Sequence, residues 1–110
     1  MPRRRSPRVL LLCGDLQTSD RLVDELLELG MDPVQAFSSS DAIETLTAGS
    51  VDAVVMGDMA EDEGLPLLEW QLRRFKGVAV HMGEATEPDE ASARVVGGLL
   101  TGLANAGRLG

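Results

Sequence analysis

Four short apolar runs, each followed by a turn and then by a segment of helical periodicity, constrain the fold of this chain more than any other feature. The runs are residues 9–12, 33–37, 53–56 and 77–82. Two of them, VLLL and AVVM, are apolar throughout, which is typical of strands buried on both faces. Because strands and helices alternate, the sequence predicts a single α/β domain with a parallel sheet and helices on both faces.

Start and stop signals bound the intervening helices. Serine, threonine and aspartate favour helix starts, and glycine favours helix ends. Pro66 is tolerated in the first turn of the third helix, whereas Pro33 suits an edge strand or a strand start. We predict helix starts at Thr18–Asp20, at Ser40 or Asp41, at Leu65 and at Thr86, and helix ends at Gly30, Gly49, Phe75 and about Ala106.

Charge and composition exclude several classes of function. Residues 1–8 hold four of the ten basic residues, and we expect them to form a flexible basic tail or an electrostatic contact with an anionic partner. Residues 9–110 carry six basic against eighteen acidic residues, a net charge of −12. Such a body repels phosphate backbones and anionic lipid, so we expect no nucleic-acid binding by the folded domain and no membrane association. With one cysteine, no apolar run near membrane-spanning length and no leader pattern, the sequence predicts a cytoplasmic protein.

The order of these elements resembles the receiver domain of bacterial two-component response regulators. The resemblance is carried by CGD after the first strand, SSSDA at the second helix, the AGSVDAVVM strand and the LPLLEWQLRR helix. It covers about three quarters of the chain. It implies a flavodoxin-like parallel sheet of order 2-1-3-4-5 and a regulatory role exerted through protein partners.

The phosphorylation chemistry of that family is absent or displaced in this sequence. The resemblance places Cys13 and Gly14 where receivers carry the acids that hold Mg²⁺, and Gly57 where they carry the phosphoacceptor aspartate. Mg²⁺ requires oxygen ligands, and glycine has no nucleophile. Met82 or Gly83 replaces the switch hydroxyl, and the lysine of the fifth strand has no counterpart. We therefore expect a pseudo-receiver that is not an enzyme and holds no metal or other cofactor.

Two carboxylates near this pocket keep an alternative open. Asp15 follows Gly14, and Asp58 follows Gly57. Asp58 enters the pocket only if the shortened loop shifts the register by one residue, which reverses side-chain directions along a strand. The alternative is a phosphorylation-dependent receiver with a rearranged Asp15/Asp58 site. A third reading is an anti-sigma-antagonist-like regulatory domain, which the parallel βα start opposes.

The chain is short for a receiver. Residues 83–110 leave room for a loop and one helix. We expect residues 9–110 to form a pseudo-receiver domain truncated to about four strands, with one βα unit missing before or after the last helix. The fourth strand, Val78 to Met82, then becomes an edge.

Two features of this truncated fold predict interaction surfaces. The edge strand, through Val78 and Val80, offers unpaired backbone groups to a second chain. Gly98, Gly102 and Ala106 recur at intervals of four in the last helix. This stripe either seats the helix on its own sheet or admits a partner helix. We expect an unidentified regulatory protein partner and a homodimer through the fourth strand, the last helix or both.

Three further patterns have an ordinary structural explanation beside a functional one. Trp70 shares a helix face with Leu67 and Arg74, and is either a partner anchor or the margin of the core. His81 is the only histidine, so a core or edge position is favoured over a metal site. The acidic loop 58–63 lacks the spacing of a calcium motif, and CGDLQTSD lacks the lysine of a P-loop.

Overall fold

The computed structural model describes residues 6–13, 16–49, 51–57, 64–81 and 88–107. Strands and helices alternate along this part of the chain, as predicted. The strands are β1 Arg8–Leu12, β2 Asp32–Ala36, β3 Ala53–Met56 and β4 Val78–His81. The helices are α1 Leu16–Glu28, α2 Ser39–Ala48, α3 Leu65–Arg74 and α4 Pro88–Asn105.

The four strands are parallel and lie in the order β2-β1-β3-β4, which confirms the predicted flavodoxin-like arrangement. Val9 of the central strand pairs with Pro33 on one side and with Ala53 on the other. Ala53 in turn pairs with Val78. Because β1 has a neighbour on each side and helices on both faces, its VLLL segment is completely buried.

β2 is an edge strand, as its proline predicted. It begins at Asp32 and ends at Ala36, one residue before each predicted boundary. Phe37, predicted as the last strand residue, lies beyond the strand and is 47% exposed. The strand ends where a buried alanine gives way to the turn that leads into α2.

Alternate side chains of the sheet build two separate cores. Val9 and Leu11 pack with α1 and α4, whereas Leu10 and Leu12 pack with α2 and α3. Each core is therefore one sheet face covered by two helices. The buried helix residues are Leu22, Leu26, Val95, Leu99 and Leu103 in the first core, and Ala42 and Leu68 in the second.

The position of α4 distinguishes it from a crossover helix. Parallel connections are right-handed, so a helix leading outward from β4 to a further strand would lie on the same face as α3. Instead α4 contacts α1 and the face of β4 that belongs to the first core. A helix in this position does not lead to a fifth strand beyond β4.

The predicted start of α1 is wrong by a few residues. The helix begins at Leu16, so Thr18–Asp20 lie inside it and not at its cap. Ser19 is completely buried, and its Oγ accepts a hydrogen bond of 2.9 Å from Gln35 Nε2. The hydroxyl that resembled a cap in the sequence instead joins the helix to β2.

The start of α2 differs in the same direction. Ser38 is the N-cap, and its Oγ accepts a hydrogen bond of 3.2 Å from the Asp41 N–H. The predicted caps were Ser40 and Asp41, which lie inside the helix. Four consecutive residues, SSSD, all have capping chemistry, so the end of the preceding strand decides which one is used.

The ends of α1 and α2 confirm the predictions. Gly30 and Gly49 have φ angles of 79° and 82°, the region that favours glycine. After α1, the Met31 N–H donates to the Leu26 carbonyl at 2.9 Å, which is the bond of a Schellman motif that spans six residues.

β1 begins inside the segment assigned to the tail. Arg8 is its first residue, and the Arg8 N–H donates to Asp52 Oδ2 at 2.8 Å. The Asp52 carbonyl accepts a hydrogen bond from the Val78 N–H at 3.1 Å. Asp52 therefore ties the starts of β1 and β4 together across β3, and the folded domain begins no later than Arg8.

Candidate functional site

The carboxyl ends of β1 and β3 meet at one point of the sheet edge. The register pairs Leu12 with Met56, so the next residues, Cys13 and Gly57, follow side by side. The Gly57 N–H donates to the Leu12 carbonyl at 2.7 Å, which extends the pairing by one residue beyond β3. The two positions that the resemblance assigns to a metal-binding acid and to the phosphoacceptor are therefore neighbours.

The two described residues at this point, Cys13 and Gly57, carry no carboxylate. Cys13 is 4% exposed and packs in the apolar core under α1 and α4. Gly57 contributes only backbone, and its N–H is used by the sheet. The remaining predicted pocket residues, Gly14, Asp15, Asp58 and Met82, lie outside the described residues.

β4 is the second predicted site, and it is paired on one side only in the part of the chain that the structure describes. The Val78 N–H points toward β3, where it donates to Asp52. Because the backbone groups of a strand alternate in direction, those of Ala79 and His81 point away from β3. This edge therefore presents two N–H groups and two carbonyls to a potential partner strand.

The two faces of β4 differ in coverage. Val78 and Val80 are half-buried and pack on the first core beneath α4. Ala79 and His81 face the side of the second core, and both are exposed. Leu68 of α3 is buried in the same cluster as Val54 of β3, whereas no residue of β4 belongs to that cluster among the described residues. The outer part of the α2/α3 face of the sheet is consequently open.

The glycine stripe of α4 faces its own sheet. A Cβ placed on Gly102 would lie 2.5 Å from Val78 Cγ1, and one on Gly98 would lie 3.1 Å from Val80 Cγ1. Of the two explanations open in the sequence, the structure shows tight intramolecular seating of the helix on β4. Ala106 follows the end of α4 and is exposed, so it does not continue this contact.

Comparisons with known proteins agree with this geometry at the level of the fold. No family model and no curated protein matches the chain. A two-component response regulator from Clostridium difficile superposes with a TM-score of 0.63 at 18% identity, covering 86% of this chain and 78% of that one. A response regulator of Thermotoga maritima, solved in complex with Mg²⁺ and BeF, superposes with a TM-score of 0.58 at 20% identity, and the match covers 80% of each chain. A CheY-like receiver domain from Methylobacillus flagellatus superposes with a TM-score of 0.57 at 21% identity, and the match covers 82% of this chain and 81% of that one.

The chain has the receiver fold. The shared order of parallel strands and the coverage of about four fifths of each similar chain carry this conclusion. The receiver fold brings Cys13 and Gly57 to the carboxyl edge of the sheet, where ligands of open α/β sheets bind. Within the described ranges, no helix is long and apolar enough to cross a membrane.

The C-terminal end of α3 carries a cluster that the sequence analysis identified only in part. Trp70 is 49% exposed, and the Arg74 guanidinium lies 4.9 Å from the centre of its ring, which confirms their shared helix face. Arg73 and Lys76 are exposed beside them. The signal that was missed is RRFK, which places three of the six basic residues of the acidic body within four positions.

Proposed function

We propose that this chain is a non-catalytic, regulatory protein-interaction module built on a receiver fold that has lost its phosphorylation site. The observation that carries the proposal is the meeting of Cys13 and Gly57 at the carboxyl edge of the sheet. A buried thiol is a poor ligand for Mg²⁺, and a glycine accepts no phosphoryl group. What remains is a folded surface for protein partners in a bacterial regulatory pathway, in the cytoplasm.

The phospho-switch alternative places Asp15 and Asp58 in a rearranged pocket. Gly57 argues against it, because its bond to Leu12 keeps the strand register in phase up to the residue before Asp58. A shift of one residue would break this bond and turn the buried side chains of β3 toward the wrong core. The anti-sigma-antagonist-like alternative is disfavoured by the parallel pairing of all four described strands.

Incubation with radiolabelled acetyl phosphate and Mg²⁺ tests the proposal, with an active receiver as the positive control. We expect no stable labelling of this chain and no Mg²⁺-dependent response to beryllofluoride. Stoichiometric labelling that disappears in Asp58→Ala and persists in Asp41→Ala would establish the phospho-switch instead. Asp41 is a suitable control because it is an exposed aspartate on α2.

The same proposal includes a homodimer through the edge of β4. Two copies related by a two-fold axis would pair their β4 strands in antiparallel fashion and satisfy the outward backbone groups of Ala79 and His81. The position of α4 on the α1 face supports the loss of a helix and a strand before α4, which leaves this edge without a fifth strand. The interface belongs to the strand and not to the glycine stripe, because Gly98 and Gly102 already contact Val80 and Val78.

A further inference from the structure

The C-terminal end of α3 combines positive charge, an exposed aromatic ring and a shallow groove. Arg73, Arg74 and Lys76 are the charged groups, and we call them together with Trp70 the α3 patch. Arg73 and Arg74 lie in the last turn of α3, Trp70 lies one turn earlier, and Lys76 follows the C-cap residue Phe75. The patch lies near the amino end of β4. The Cys13 and Gly57 pair lies at the opposite end of the sheet, where β1 and β3 end.

The cations of the α3 patch differ from the other described cations in their partners. Arg8 contacts Asp32 at 3.3 Å, and Arg94 contacts Glu90 at 3.1 Å. The structure gives Arg73 and Lys76 no carboxylate within 4.0 Å among the residues it describes, although Glu69 precedes Arg73 by one helical turn. Arg74 is stacked on Trp70, which holds its guanidinium in one orientation. The patch is therefore an excess of positive charge on a strongly acidic domain.

A groove next to these charges supplies an apolar component. It runs between α2 and α3 and is lined by Leu46, Gln71, Arg74, Phe75 and Lys76. Leu46 and Phe75 pack on the second core and form the floor of the groove. Leu67, 55% exposed, and Trp70 extend the apolar surface along α3. The groove therefore combines apolar side chains, Leu46 and Phe75, with the cations Arg74 and Lys76.

We propose that the α3 patch binds an acidic segment of a protein partner, with an aliphatic side chain of that segment in the groove between α2 and α3. Charge complementarity identifies the occupant, because Arg73 and Lys76 contact no carboxylate among the described residues and Arg74 contacts only the ring of Trp70 there. A short segment interacts with these charges at close range. A nucleic acid is longer than the electrostatic screening length of about 8 Å at physiological salt. Its phosphates outside the patch would therefore lie close to the acidic body and be repelled by it. This inference rests on the proposed role as a protein-interaction module and names the surface and the chemistry of the partner.

Titration of the ¹⁵N-labelled full chain with a synthetic peptide of alternating glutamate and leucine pairs tests the inference. Trp70 is the only tryptophan, so its indole N–H is a single reporter within the patch. We expect shifts of this signal and of the Lys76 amide, with affinity that falls as salt is raised. Peptides with glutamine for glutamate, or with serine for leucine, are expected to bind at least about fivefold more weakly.

Substitutions distinguish the patch from general charge effects. Arg73→Gln and Lys76→Gln should each weaken peptide binding up to about fivefold, because each removes one exposed ion pair of the complex. Arg21→Gln and Arg94→Gln are matched controls with the same change in net charge, and both residues pair within their own helices. They should leave the affinity unchanged, and all four variants should melt as the parent chain does.

Three outcomes would overturn the inference. They are the absence of shifts at Trp70, equal affinity of the Arg73→Gln/Lys76→Gln double variant, and tighter binding of a single-stranded DNA oligonucleotide than of the peptide. None of them bears on phosphoryl uptake, so the inference can fail while the non-catalytic role stands. Conversely, labelling by acetyl phosphate would overturn that role and leave peptide binding at α3 unaffected.

Discussion

The two edges of the sheet are built in opposite ways. On β2, the Asp32 N–H bonds toward β1, so the backbone of Pro33 points outward, where proline has no N–H to offer. The start of β2 also carries the ion pair of Asp32 with Arg8. On β4, Ala79 and His81 point outward with their N–H groups intact, and the strand contains no proline, lysine or carboxylate.

Helix coverage follows the same division. β2 contacts α1 on one face and α2 on the other, whereas the main helix contact of β4 is with α4 alone. Natural proteins block free edges with proline, charge or a covering element, since unpaired edges associate. In the described part of the chain, β2 has the proline, the charge and helices on both faces, whereas β4 has neither proline nor carboxylate and is contacted mainly by α4 on one face. The contrast makes β2 the protected edge of the described sheet and leaves β4 as the edge to which we assign the proposed pairing.

The largest effect is expected where α4 holds β4 on the sheet. Gly102→Leu should lower the free energy of unfolding by about 3 kcal/mol, because a side chain there collides with Val78. Gly97→Leu is the control, since a Cβ at Gly97 has no neighbour within 4 Å. Urea unfolding measures both. Equal stability of the two variants would mean that α4 does not depend on close contact with β4.

A charge on the open edge should prevent the proposed dimer from forming without unfolding the domain. Ala79→Lys is expected to weaken self-association by at least about tenfold, because lysine blocks edge pairing. Thr47→Lys adds the same charge on the exposed surface of α2 and should have no effect. Light scattering at several concentrations gives the mass. Identical masses for the two variants would place any dimer interface elsewhere than β4.

Opening the protected edge should have a smaller effect. Pro33→Val restores an outward N–H on β2 and keeps an apolar side chain at a half-buried position. We expect species larger than a dimer to appear at high concentration, since both edges then pair. Combining the change with Ala79→Lys should return the mass to a dimer, now formed through β2. If Pro33→Val alone leaves the mass of the parent chain unchanged, the proline does not protect this edge.

The smallest effect is expected at the exposed glycine of α4. Gly97→Ala should raise the free energy of unfolding by up to about 1 kcal/mol through helix propensity alone. Gly98→Ala should gain less or lose stability, because its Cβ would lie 3.1 Å from Val80. Thermal melting of the pair measures the difference. A larger gain for Gly98→Ala would contradict the seating of α4 on β4.

The sequence predicted the sheet well because local patterns determine it. A short apolar run predicts a strand, and Gly30 and Gly49 predict helix ends, without knowledge of the rest of the chain. The strand order follows from the resemblance to receivers. The helix starts were less predictable, because Ser38, Ser40 and Asp41 cap equally well by chemistry alone.

Properties that depend on register or on packing were beyond the sequence. The hydrogen bond from the Val78 N–H to the Asp52 carbonyl is needed to determine which backbone groups of β4 point outward. The role of Gly102 in seating α4 on β4 can be recognised only from the distance between a Cβ placed on Gly102 and Val78 Cγ1. That Arg73 and Lys76 contact no carboxylate among the described residues, unlike Arg8 and Arg94, requires the structure.

Amide hydrogen exchange at Ala79 and His81 tests the open edge of β4 most directly. The account predicts fast exchange of both amides at low protein concentration and protection that rises with concentration as the strands pair. The Val80 amide, which points toward β3, should be protected at every concentration and serves as the internal control. Protection of Ala79 and His81 that does not vary with concentration would show that the chain covers its own edge, and fast exchange at every concentration would show that the edge pairs with no second copy.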